Sequence, residues 1–441
     1  MQEQARADGG TVIEPAPVPG AERLAGLDVL RGVAVLGILV MNIYAFAMPF
    51  AAYTNPLLMG GLEPYNLGTW FVTHVFFDQK FMSIFSMLFG AGIVLMMQRM
   101  ESRGARFGPI FFRRQFWLLV IGLVHAYLVW MGDILFFYAV VGMLAFLFRK
   151  RSPRTLLIIG VLALAVGQLM GFGASHAMND LRSQAAVIEA GQGSGEAIDT
   201  EAEEILEQWQ ATREMVLPGP DELANDLAAY RGSYADSVAF RSPHLLMMQL
   251  QALPFFIVWR VGGLMLIGMA LMKLGILAGT RDATLYGRMA VAGYVLGLPL
   301  TVFSGWNAWQ HGFDAIYMFG PGGWPNYVGS VIVALGHTGL VLWLVRSGRC
   351  HAALARFGAV GRMALTNYLA HSIVLTAVFY GYGLGLYGHI PRLAQMAFVA
   401  AVIGVQLAFS PWWLARYRFG PAEWLWRSLT YWRRQPMRRA A

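Results

Sequence analysis

Cysteine is almost missing from this chain. The single one, Cys350, cannot close an internal disulfide and rules out a metal site built from cysteines. Charge is scarce too, at 13% of residues against 57% hydrophobic, and the mean hydropathy is +0.51. That balance lies well outside the soluble range and reads as an integral membrane protein. The opening residues, MQEQARADGGTVIEPAPVPGAERLA, lack the apolar core of a cleavable signal peptide, so the first span is expected to stay as an anchor. No internal repeat is visible, so the inverted-repeat signature of many transporters is missing. His125, His337 and His371 do not stand at metal-ligand spacing, and no metal is expected. The net charge of +8 does not point to nucleic acid, because the basic residues cluster in short loops between apolar segments.

What is there is a series of apolar segments of bilayer-crossing length. About ten can be counted, near 28–48, 80–98, 115–131, 133–148, 155–175, 246–272, 287–306, 325–345, 362–380 and 394–415. With ten spans the basic clusters all fall on one side: Arg99 to Arg114, Arg149 to Arg154, Lys273 to Arg288, Arg346 to Arg362, and Arg416 onward. The expected fold is therefore an all-α, polytopic membrane helix bundle with both termini in the cytoplasm. Its expected divisions are a disordered cytoplasmic stretch 1–25, a first bundle 26–175, a polar acidic extracytoplasmic loop 176–243, a second bundle 244–416 and a basic aromatic tail 417–441. Within the loop, Glu201 to Met215 has good helix formers, stopped by Pro218, Gly219 and Pro220. The loop reads as a solvated cap or as a lid. The tail, RYRFGPAEWLWRSLTYWRR, suits an interfacial helix against anionic headgroups.

Polar residues at membrane depth carry the functional reading, since each is costly in hydrocarbon. Asp28 and Arg31 open the first span three residues apart, so they share a helix face and can neutralise each other. Asn42 lies deep in the same span. Asp78 and Lys80 flank the outer end of the second. The short turn Met131–Gly132–Asp133 makes the third and fourth spans an antiparallel hairpin and sets His125 near Asp133 in depth. That pair reads either as a hydrogen bond tying the hairpin or as a base oriented by a carboxylate. Arg260 falls mid-span, as a structural ion pair (with Asp133 or Asp78) or as an anion contact. His337 and His371 lie near the middle of their spans. Asn367 and His371, four apart, share a face that inter-helix hydrogen bonding explains by itself. Gly90, Gly92, Gly262, Gly263 and Gly268 read as close helix packing.

The stretches LDVLRGVAVLGILVMNIYAFAMP, KFMSIFSMLFGAGIVLMMQR, GLVHAYLVWMGDILFFYAVVG, GGLMLIGMALMKLG, VGRMALTNYLAHSIVLTAVFYGYGLGLYG and FGPAEWLWRSLTY resemble, in order, the YeiB family of bacterial inner-membrane proteins, a family of unknown function. That family's core in turn resembles the transmembrane acyltransferases, of the acyltransferase-3 and heparan-glucosaminide acetyltransferase types. These move an acyl group from a cytoplasmic thioester such as acetyl-CoA to a hydroxyl or amine. Acyltransferase-3 enzymes carry an Arg and, after ten intervening residues, a His in the first helix; here Arg31 is followed after ten intervening residues by Asn42. The heparan type has Asn at this place, with a catalytic His some eleven residues later, where this chain has Tyr53. The resemblance implies an acyl-CoA donor and an envelope glycan, lipid or small-molecule acceptor. His125 would be the base, Asp133 its orienting partner, Asn42 an oxyanion donor, and Arg31 and Arg260 the anion contacts. A transporter of a small metabolite and a non-catalytic envelope protein are the other readings. A broken helix would favour transport, and Pro254 is the one weak candidate for a break.

Overall fold

In lipid a backbone must satisfy its own hydrogen bonds, and an apolar run of some twenty residues does so as a helix. The computed structural model describes residues 25–194 and 197–439. The expected disordered N-terminus lies outside the described residues up to residue 24. The first half of the chain forms α1 (Ala25–Ala47), a short α2 (Ala51–Thr54), α3 (Pro64–Phe76), α4 (Lys80–Glu101), α5 (Phe107–Leu128), α6 (Leu135–Ala145), α7 (Pro153–Gly193), α8 (Thr200–Val216) and α9 (Pro220–Arg231). The second forms α10 (Tyr234–Ala252), α11 (Val258–Lys273), α12 (Ala283–Gln310), a short α13 (Ala315–Phe319), α14 (Trp324–Arg346), α15 (His351–Arg362), α16 (Ala364–Phe379), α17 (Arg392–Arg416) and α18 (Pro421–Tyr431). Among the described residues there is no strand, only a lone bridge between Tyr417 and Arg438.

Among the described residues eight helical stretches are long and apolar enough to cross a bilayer. The segments expected to span near 133–148 and 362–380 fold as the shorter apolar helices Leu135–Phe148 and Ala364–Phe379. At 1.5 Å per residue these reach roughly 21 and 24 Å, short of a hydrocarbon core of about 30 Å.

Three stretches differ from the sequence expectation. Residues 64–76, given no element above, form α3, which runs into α4 through Gln79 in the left-handed region at φ 63°. The polar stretch 176–243 is helical throughout most of its length, not a loop. There α7 continues to Gly193, capped at its start by Ser152, whose Oγ accepts from Thr155 N at 3.2 Å. Pro254 does not break its helix. A π-helical turn over Leu253–Ile257 absorbs it and joins α10 to α11.

Burial sorts the spans by position. In α1, 78% of the apolar window is buried, against 22% in α7 and in α17, so α1 is central and the other two line the rim. The central helix packs on α4, α14, α15, α16 and α17. The α4–α11 crossing is close because two glycines face each other's backbone. A Cβ on Gly90 would collide with the carbonyl of Met265, and one on Gly268 with that of Met87.

Candidate functional site

The turn between α5 and α6 brings His125 and Asp133 together. Its chain folds back on the last turn of α5, where Val129 N and Trp130 N both donate to His125 O at 2.9 Å. Asp133 Oδ1 then lies 2.8 Å from His125 Nδ1, while Asp133 Oδ2 accepts from Phe136 N at 2.8 Å, at the start of α6. A carboxylate can only accept, so Nδ1 carries a proton, and in the neutral ring Nε2 is then an acceptor. Opposite Nε2, at 2.8 Å, is Ser372 Oγ on α16. His125 and Asp133 are nearly buried, and Ser372 is 0% exposed. One turn earlier on α16, the Tyr368 hydroxyl donates to Gly132 O at 3.3 Å and accepts from Ile134 N at 3.2 Å. Its ring centroid stands 5.3 Å from that of His125. Carboxylate, imidazole and hydroxyl are thus in series, the order in which an oriented imidazole draws a proton from a hydroxyl.

Tyr368 is also a wall residue of a cavity of about 300 Å³ beside this set. Six arginines line it: Arg31, Arg99, Arg103, Arg114, Arg362 and Arg427. Its apolar wall includes Phe85, Phe89, Leu118, Leu135 and Tyr138, with Ile134 next to Tyr368. Arg31 is held by Asp28 at 2.8 Å, and Arg114 lies over the Trp426 ring at 3.7 Å. The lining has one acidic side chain, Glu423, and its oxygens are already engaged. Oε1 accepts from Leu365 N and Thr366 N at 2.6 and 3.1 Å, and Oε2 from Thr366 Oγ1 at 2.6 Å, which caps the start of α16. Burial pushes the Glu423 carboxyl up from its ordinary value. α18 supplies Glu423, Trp426, Arg427 and Tyr431, so the tail helix closes one side of the cavity. A cavity with cationic and apolar walls suits a phosphate-bearing amphiphile.

A second polar set surrounds the start of α4. Lys80 is 0% exposed and donates from Nζ to His74 O at 2.6 Å and Asn326 Oδ1 at 2.7 Å. Asn326 Nδ2 in turn donates to Asp78 Oδ2 at 2.7 Å, and His74 Nδ1 lies 3.4 Å from the same oxygen. Arg260 is not ion-paired with Asp78 or Asp133. It donates to Tyr327 O at 3.1 Å and Ser330 Oγ at 2.8 Å on α14.

The remaining residues singled out in the sequence are placed as follows. Asn42 makes no side-chain hydrogen bond among the described residues and does not line the cavity. His337 bonds to Tyr294 and to Phe76 O. Asn367 and His371 turn toward α17, where His371 Nε2 meets Gln406 Oε1 at 2.8 Å and Asn367 Nδ2 meets Ser410 Oγ at 3.2 Å. Thus the structure brings His125 and Asp133 together, places Arg31 in the wall of a cavity that Ile134 and Tyr368 also line, and sets Lys80 and Arg260 among other partners. Among the described residues there is no cluster of three or more His, Cys, Asp or Glu side chains that could hold a metal.

These features define a multi-pass helical membrane protein with a buried Asp–His–Ser series beside an arginine-lined cavity. Residues 271–433 match the family model described as "Protein of unknown function (DUF418)". The chain is 33% identical over 425 residues to the "Uncharacterized protein YxaH" of Bacillus subtilis (strain 168), covering 94% of this chain and 96% of that one. It is 32% identical over 419 residues to the "Uncharacterized protein YeiB" of Escherichia coli (strain K12), covering 93% and 96%. A third relative, the "Uncharacterized 39.9 kDa protein in amylase 3'region" of Bacillus acidopullulyticus, is 26% identical over 424 residues, 96% of this chain and 97% of its own. The chain therefore belongs to the DUF418, YeiB-like family. No solved structure matches it.

Proposed function

We propose that this protein is an acyltransferase of the bacterial inner membrane. It takes an acyl group from an acyl-CoA, such as acetyl-CoA, and delivers it to an envelope glycan, lipid or small molecule. One observation carries the reading: the wall of the arginine-lined cavity includes Tyr368 and Ile134, and both touch the turn that holds His125 against Asp133. In this reading the arginines meet the donor's phosphates from the cytoplasmic side, and the apolar wall takes the rest of the donor. His125, held as the Nδ1–H tautomer by Asp133, accepts the acceptor's proton at Nε2. Arg31 keeps the donor-binding role because it lines the cavity, whereas Arg260 and Asn42 have none here, since neither lines the cavity nor hydrogen-bonds to the turn that carries Asp133.

The test is free-thiol release from acetyl-CoA by the purified protein in detergent, with bacterial envelope extract as acceptor source. Extract-dependent release that falls at least ~100-fold in His125→Ala is the expected result. No release, together with acetyl-CoA failing to raise thermal stability, would sink the reading and turn attention to flux in proteoliposomes.

A further inference from the structure

The hydroxyl of a helical serine ordinarily finds a partner in its own helix, at the carbonyl one turn back. Several buried hydroxyls of this chain do so: Ser83 to Gln79 O at 2.7 Å, Ser86 to Met82 O at 2.9 Å, Thr338 to Ala334 O at 2.8 Å. Ser372 does not. Among the described residues its one hydrogen-bond partner is His125 Nε2, at 2.8 Å. The proton that would otherwise be spent on the backbone faces an imidazole whose far nitrogen is fixed on a carboxylate. Ser372 also lies one helical turn beyond the cavity-wall residue Tyr368, a rise of roughly 6 Å along α16. The two bonds that hold the Tyr368 hydroxyl in that wall are long, at 3.2 and 3.3 Å.

We propose that Ser372 is a catalytic nucleophile, and that the acyl group crosses from donor to acceptor as an ester on its Oγ. The proposal rests on the acyltransferase reading and deepens it. In the first half-reaction His125 Nε2 takes the Ser372 proton and Oγ attacks the thioester carbonyl carbon. The carbon–sulfur bond breaks, and the departing sulfur takes the proton from His125 and leaves as the thiol. In the second half-reaction Nε2 takes the proton of the acceptor's hydroxyl or amine, which attacks the ester carbonyl. The bond to Oγ breaks, and Ser372 recovers its proton from His125. No oxidant, reductant or further reactant is needed, and Asp133 stays a carboxylate throughout.

The experiment uses the full-length protein in detergent with isotope-labelled acetyl-CoA, first with no extract added. The expected result is a thiol burst of about one equivalent per protein and an acetyl group on the peptide bearing Ser372. The group should be removed by hydroxylamine and by adding extract. Ser372→Ala should lose burst and label and cut extract-dependent release at least ~100-fold, with its thermal unfolding followed alongside. Ser372→Cys, which keeps a nucleophile of similar size, should carry the label as a thioester. Extract-dependent release with no label on Ser372, undiminished in Ser372→Ala, would overturn the nucleophile and leave acyl transfer standing. Absence of release and label from the wild-type protein would overturn both.

Discussion

Asp133 has one oxygen on His125 and the other on Phe136 N, so it serves both the imidazole and the start of α6. Asp133→Asn keeps the shape but lets the amide donate to Nδ1, which presents the wrong tautomer to Ser372. We expect thiol release to fall by ~10²–10⁴-fold with little change in thermal unfolding, measured in the same detergent. Lys80 gives the opposite kind of prediction. Its ammonium is wholly buried and its loss strands His74 O and Asn326 Oδ1. Lys80→Met should cost about 3 kcal/mol of stability, read as a fall in Tm, while Lys273→Met, whose amine has an exposed bond to Arg151 O, should be near neutral. The His125–Asp133 contact was legible in the sequence because only seven residues separate the two, across a turn too short to point elsewhere. Ser372 was not legible. Serines are ordinary in apolar helices, and its partner is 247 residues away. The cavity's arginines were visible but already explained by topology, so their convergence had no separate signal.

At the scale of elements, two glycines two residues apart on α4 should behave oppositely. Gly90 lies against the α11 backbone at Met265, whereas a Cβ on Gly92 would meet nothing within 4 Å and would point into the space beside a cavity wall. Gly90→Leu should prevent accumulation of folded protein, since the α4–α11 crossing has no room to give. Gly92→Leu should fold with unchanged or higher Tm, helped by about 0.5–1 kcal/mol of helix propensity, yet lose any thermal stabilisation by acetyl-CoA. Fluorescence-detected gel filtration and a thermal shift series separate the two outcomes. Both glycines carry the same sequence signal, and only the neighbour across the crossing tells them apart. The same holds for helix ends. Apolar length located every span, but α3 escaped because Asn66, Thr69, Thr73 and His74 dilute its hydropathy, and they are tolerated by turning inward or bonding along the helix. In the α7–α9 region the helix formers of Glu201 to Met215 announced α8, while the extension of α7 beyond residue 175 and the helix α9 escaped because polarity says solvent contact and says nothing against helix.

Over the whole molecule, α9 ties the helical cap to the connection between α16 and α17. Arg231 Nε donates to Tyr387 O at 2.8 Å, and the Tyr387 hydroxyl donates to Asp226 Oδ1 at 2.7 Å. Burial there pushes the Asp226 carboxyl up to about 6. A carboxyl raised on folding binds its proton more tightly in the native state, so this contribution is complete below the unfolded value near 3.8 and is lost as pH rises through about 6. The loss amounts to about 2–3 kcal/mol. The Tm in detergent should therefore fall between pH 4 and pH 7, and Asp226→Asn should flatten that slope. A different consequence follows from the side of the cavity that α18 closes. This helix follows the eight apolar stretches of the described residues in chain order, so the ribosome releases it after them. A nascent polypeptide stopped at Arg416 already has these eight stretches, yet lacks Glu423, Trp426, Arg427 and Tyr431. Insertion into the bilayer and completion of the cavity are thus separate events in biosynthesis. A fluorescent reporter fused at Arg416 would record the first while remaining blind to the second.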